Sequence, residues 1–66
     1  MDLKEYQAKA HPGRRVYIMH EGQKVYGTAG NMYGSSGIEY VVRFDFGSIA
    51  KVTEETVHLF YFEELH

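Results

Sequence analysis

At His11-Pro12-Gly13 the hydrophobic period of this chain changes from helical to alternating, and that one break limits the fold more than any other feature. Before it, Leu3, Tyr6 and Ala10 share a face at i, i+3 and i+7. Asp2 stands where a helix N-cap belongs, and Glu5 completes an Asp-x-x-Glu variant of the capping box. Glu5 and Lys9 have the favourable i, i+4 spacing. Proline disfavours helical angles in the residue before it, and glycine takes up the turn. So short a helix does not persist alone in water, so its apolar face must pack on the rest of the chain or on another molecule.

After the break the side chains alternate. Residues 14–20 read as a strand with Val16 and Ile18 on one side and Tyr17 and Met19 on the other. Glu21-Gly22-Gln23 turns the chain into a second strand at 24–30, where Gly27 and Gly30 allow a bend or bulge. A glycine/serine-rich loop is expected at 31–37. The clearest strand follows at 38–45, with Tyr40, Val42 and Phe44 facing together. Phe46-Gly47 turns into a short strand at 48–52. Thr53 to Thr56 suits a single 3₁₀ turn. The last strand is expected at 57–62, before the acidic tail Glu63-Glu64-Leu65-His66.

Strands this short, separated by turn signals, imply a small mainly-β domain. A flat sheet would expose an apolar face and two edges, so a five-stranded barrel at 13–66 is expected, with a helical arm at 1–12. The 66 residues suffice for one domain, at a size where roughly 60% of the unfolded surface is buried. Ten aromatic residues, six Tyr and four Phe, supply the area such a core needs without staples.

The chain has no cysteine, which excludes disulfides and thiolate metal sites and suits a reducing cytoplasm, the expected compartment. No apolar run is long enough for a membrane helix. The net charge of −2 argues against a general affinity for nucleic acid. The charge is uneven, however: residues 1–33 carry +2 and residues 34–66 carry −4. That asymmetry either keeps two faces solvated or orients a partner or a second copy.

Gly13-Arg-Arg-Val16-Tyr-Ile18, Lys24-Val-Tyr-Gly27-Thr, Tyr40-Val-Val42-Arg-Phe44-Asp-Phe-Gly47 and Lys51-Val52-Thr-Glu-Glu-Thr-Val57 together resemble the SH3-like barrels of the Tudor and KOW type. The resemblance spans Gly13 to Val57 and omits the N-terminal helix. It implies a barrel that binds through side chains on its rim. Relatives of the KOW type bind RNA or ribosomal partners. Stand-alone barrels of this size are also similar to small phage or mobile-element proteins, on size and fold alone.

On that pattern Tyr17, Tyr26, Tyr33 and Phe46 are the candidate partner-binding rim. They either converge to hold a protein segment or a cation, with Asp45 or Glu21 as acidic companion, or merely half-cover the core. Arg14, Arg15, Lys24 and Arg43 are the alternative, a phosphate grip beside stacking tyrosines for RNA or single-stranded DNA. In the last strand, Leu59-Phe60-Tyr61-Phe62, one alternate pair enters the core and the other faces out. Phe60 and Phe62 are the candidates for self-association, unless Leu3 and Tyr6 of the helix cover them.

No nucleophile elbow, phosphate loop or His-Glu-x-x-His motif is present, so a non-catalytic protein without cofactor is expected. Among SH3-like barrels the plasmid dihydrofolate reductases catalyse, but their Val-Gln-Ile-Tyr motif is replaced here by Ser48-Ile-Ala-Lys-Val52. His11, His20, His58 and His66 show no metal-ligand spacing. The function expected is a small binding module for a protein partner, of the kind phage inhibitors or adaptors represent, with homo-oligomerisation as an open possibility.

Overall fold

A computed structural model describes residues 1–64. Leu65 and His66 of the expected acidic tail lie outside the described residues. The protein is mainly β, with a short N-terminal helix α1 (Leu3–Lys9) followed by β1 (Arg15–His20), β2 (Gln23–Gly34), β3 (Gly37–Phe44), β4 (Ile49–Lys51), a 3₁₀ turn at Val57–Leu59, and β5 (Tyr61–Phe62). All five strands form one antiparallel sheet in the order β4-β3-β2-β1-β5. Strands β4 and β5 are its edges, so the sheet is open rather than a closed cylinder.

Helix α1 forms for the reasons the sequence suggests. Asp2 accepts the Glu5 N–H at 2.7 Å. Glu5 does not complete the box; its carboxylate takes Lys9 at 3.2 Å. Tyr6 and Ala10 are buried and Leu3 packs beside them, so the predicted apolar face is the one that docks. That face completes a single core with Val16, Ala29, Val42, Phe44, Val52, Val57 and Phe60, where burial of apolar surface supplies the main stabilisation.

Strand β2 departs from expectation. It continues through Asn31, Met32 and Tyr33 to Gly34, and only Ser35-Ser36 links it to β3. Its register with β1 and β3 runs without a bulge. The strand changes neighbours along its length: residues 23–28 pair with β1 and residues 27–34 with β3. Gly27 lies where those ladders overlap. A Cβ there would sit 2.6 Å from Val42 Cγ1 and 2.8 Å from the Arg43 carbonyl, so close approach of β3 requires glycine. Gly30 has no such neighbour, its nearest being Val41 Cγ2 at 4.0 Å. Gly27→Ala is expected to lower unfolding free energy by about 1–3 kcal/mol through overpacking, as thermal denaturation would show.

The expected last strand is largely a turn. Thr56 Oγ1 accepts the Thr53 N–H at 2.9 Å and donates to the Lys51 carbonyl at 3.0 Å. This local bonding competes with extended structure. The 3₁₀ turn therefore falls at Val57–Leu59, after the Thr53–Thr56 segment, and only Tyr61 and Phe62 remain for β5.

Candidate functional site

Strand parity builds the site. Val16 and Ile18 of β1 face the core, so Arg15, Tyr17 and Met19 face out. The register places Tyr26 of β2 directly opposite Tyr17, and Tyr61 of β5 opposite Tyr17 on the other side. Three tyrosines therefore cross adjacent strands on the outer face. Tyr17 and Tyr26 have ring centroids 5.6 Å apart, and Tyr17 stacks on Tyr61 at 5.4 Å.

Cations border this row. Lys24 Nζ lies 4.7 Å from the Tyr17 centroid, and the Arg15 guanidinium lies 5.6 Å from that of Tyr26. Arg15 is fixed in place by two 2.7 Å bonds to the Asp45 carboxylate and a 3.1 Å bond to Thr28 Oγ1. The hydrogen bonds from Arg15 hold the Asp45 carboxyl below the usual carboxylate range and raise the Arg15 pKa further. Arg43, opposite Thr28, shares the outer face. Neither Lys24 nor Arg43 has an ion-pair partner among the described residues.

Of the four expected rim aromatics, Tyr17 and Tyr26 are brought together. Tyr33 and Phe46 are not with them. Tyr33 has the opposite parity from Tyr26 in β2, lies near the hairpin end, and is 89% exposed. Phe46, 70% exposed, stacks on Phe44 at 5.5 Å. Of the two acids offered as companions, Asp45 is engaged by Arg15 and Glu21 sits in the β1–β2 turn.

The basic set divides as well. Arg15, Lys24 and Arg43 share the tyrosine face. Arg14 does not: it lies 4.2 Å over the Phe62 ring and donates to the Lys9 carbonyl at 3.1 Å, tying the end of α1 to β5.

Phe60 and Phe62 are not an exposed patch. Phe60 is only 4% exposed, and Phe62 stacks on Tyr6 at 5.5 Å. Helix α1 covers both, and the parity of β5 turns Tyr61 outward instead, with Leu59 exposed in the preceding turn. Tyr61 is the site residue that single-strand reasoning leaves without a role. The alternation allowed it, but only the register of β5 on β1 decides it.

Among the described residues no group of three or more His, Cys, Asp or Glu side chains could hold a metal ion. His20 and His58 are exposed, and His66 lies outside the described residues. No described helix is long and apolar enough to cross a membrane. No family model, curated protein or solved structure matches the chain.

Proposed function

We propose that this protein is a non-catalytic binding module whose outer sheet face, built on Tyr17, Tyr26 and Tyr61, contacts a protein partner. The observation that carries the reading is the tyrosine row itself, with Arg15 and Lys24 over its rings. Tyrosine and arginine are the residue types that dominate the energetics of protein interfaces, because they combine large area with directed polar contacts. The same face carries exposed Met19, Met32 and Ile49. Its cations Lys24 and Arg43, without ion-pair partners among the described residues, favour an acidic complement. An inhibitor or adaptor role of the phage kind is in keeping with the size of the chain and its resemblance to Tudor- and KOW-type barrels.

The co-location of Arg15, Lys24 and Arg43 with tyrosines supports a second reading, a single-stranded RNA or DNA platform. Two features weigh against it. Asp45 neutralises Arg15, and Tyr61 and Lys24 take up the Tyr17 ring surface on which a base would stack.

Capture from a lysate of the source cells separates the readings. Proteins retained by the immobilised chain should be lost with Tyr61→Glu and kept with Tyr33→Ser. Retention of nuclease-sensitive material that falls steeply with salt would favour nucleic acid and overturn the protein reading.

A further inference from the structure

The β2–β3 ladder outruns its neighbours. Strand β1 pairs with β2 only as far as Thr28, and β4 pairs with β3 only from Val41 to Arg43, whereas β2 and β3 continue to Gly34 and Gly37. Beyond Ala29, which bonds to Gly13 and Arg14, and before Tyr40, which accepts from Val52, the ladder is a two-stranded arm whose edges carry no further strand among the described residues. Alternate residues of a strand direct their backbone groups toward the same neighbour. The Tyr40 carbonyl accepts the Val52 N–H at 2.8 Å, and the Phe44 N–H donates to the Ser48 carbonyl at 2.8 Å, both on the β4 side. Ile38 has the same parity. Its N–H and C=O therefore point past the end of β4, where no backbone group pairs with them among the described residues.

This open edge forms one wall of a groove of about 570 Å³. Leu3 and Gln7 of α1 form another wall, and residues 51–55 close the rest. The apolar lining is Leu3, Ile38, Tyr40 and Val52. Its rim carries Glu54 and Glu55, exposed and without ion-pair partners among the described residues, while Glu39 is held by Lys51 at 3.3 Å. An open strand edge beside apolar lining is the geometry of strand addition, in which backbone bonds and alternate side chains share the recognition.

We propose that this groove docks an extended segment of a partner protein in which basic and apolar residues alternate. The segment bonds to Ile38 as an added strand, lays its apolar side chains on Leu3, Tyr40 and Val52, and brings Lys or Arg to Glu54 and Glu55. Charge selects the occupant. An acidic segment meets uncompensated carboxylates. The arm of a second copy, residues 30–39, offers them no cation, only a further carboxylate, Glu39. The site is separate from the tyrosine face and stands whether or not that face binds protein.

The test is an amide NMR titration of the full chain with acetyl-(Lys-Val)₃-amide and, in parallel, acetyl-(Glu-Val)₃-amide. The basic probe should shift the resonances of Leu3, Ile38 and Val52 and slow exchange of the Ile38 amide. The acidic probe should do neither. The Glu54→Gln/Glu55→Gln variant should bind the basic probe about three- to tenfold more weakly, the effect of losing two exposed ion pairs. A basic probe N-methylated at its valines, which keeps its charge but loses donors, should bind still less. Equal binding of both charged probes, shifts confined to Tyr17 and Tyr61, or full binding by the N-methylated probe would overturn the proposal. So would slowing of Ile38 exchange by raised protein concentration alone, which would assign the edge to a second copy.

Discussion

The protein holds two aromatic clusters back to back across the same pair of strands. On the inner side Phe62 opposes Val16 and stacks on Tyr6, which also meets Tyr40 edge-on at 6.4 Å and Phe60 at 6.3 Å. On the outer side Tyr61 opposes and stacks on Tyr17, which meets Tyr26. Ring separations are alike in the two clusters, so ring-to-ring geometry does not distinguish them. Surroundings do. The inner cluster is roofed by α1, which buries Tyr6 and Phe60 and half-buries Tyr40 and Phe62; the outer one is bordered by cations and stays wetter, with Tyr61 47% exposed. Stacking therefore serves cohesion inside and, on the reading offered above, recognition outside. A one-residue step along β5 separates the roles, because alternation sends neighbours to opposite faces.

The largest expected effect divides the clusters by stability. Phe60→Ala removes a buried ring and leaves a cavity, and should lower unfolding free energy by about 3–5 kcal/mol. Tyr61→Ala should cost under about 1 kcal/mol, since its ring stays partly in water. Urea denaturation of both variants measures the difference, and equal losses would erase the distinction.

A smaller effect probes the one imperfection of the inner cluster. The Tyr6 hydroxyl is buried without a hydrogen-bond partner among the described residues, and burial pushes its pKa up to about 12 from 10.0. Removing an unpaired hydroxyl from such a site gains stability, so Tyr6→Phe should be more stable by about 1 kcal/mol. The raised pKa fixes the sign at alkaline pH. The contribution is fully present below the unfolded value of 10.0 and is lost as pH rises through the folded value near 12. The stability of Tyr6→Phe should thus fall less steeply than that of the wild type across that window, as denaturation at stepped pH would reveal.

The outer cluster has the opposite dependence, and the smallest. Arg15 depresses the Asp45 pKa, so this pair helps above the ordinary carboxylate range and ceases to help as pH falls through the lowered folded value. Both groups are exposed, so the effect on stability is slight. Asp45→Asn should flatten the acid limb of the stability profile below about pH 4 and leave the neutral region nearly unchanged.

How much of this was legible beforehand follows from which contacts are local. The helix, its cap and its docking face are written within ten residues, and the inward sets Val16/Ile18 and Tyr40/Val42/Phe44 follow from alternation alone. The extension of β2 is hidden because Asn31, Gly34, Ser35, Ser36 and Gly37 make one long loop signal, whereas Ser35-Ser36 suffice for the turn. Alternation leaves open whether Phe60 and Phe62 are exposed or covered by the helix, because the cover that decides it comes from Tyr6, more than fifty residues away in sequence. Tyr17 and Tyr26 were readable as outward residues. Their union with Tyr61 depends on the long-range register of β5 on β1.

The most direct test of a recognition role for the outer cluster is tyrosine footprinting by nitration and mass spectrometry, comparing the free chain with the chain loaded with its captured partner. Tyr33, exposed and remote on the opposite parity of β2, is the internal reference. With a recognition role on this face, Tyr17, Tyr26 and Tyr61 lose reactivity in the complex while Tyr33 keeps it. Protection of Tyr33 with Tyr61 unchanged would contradict that role.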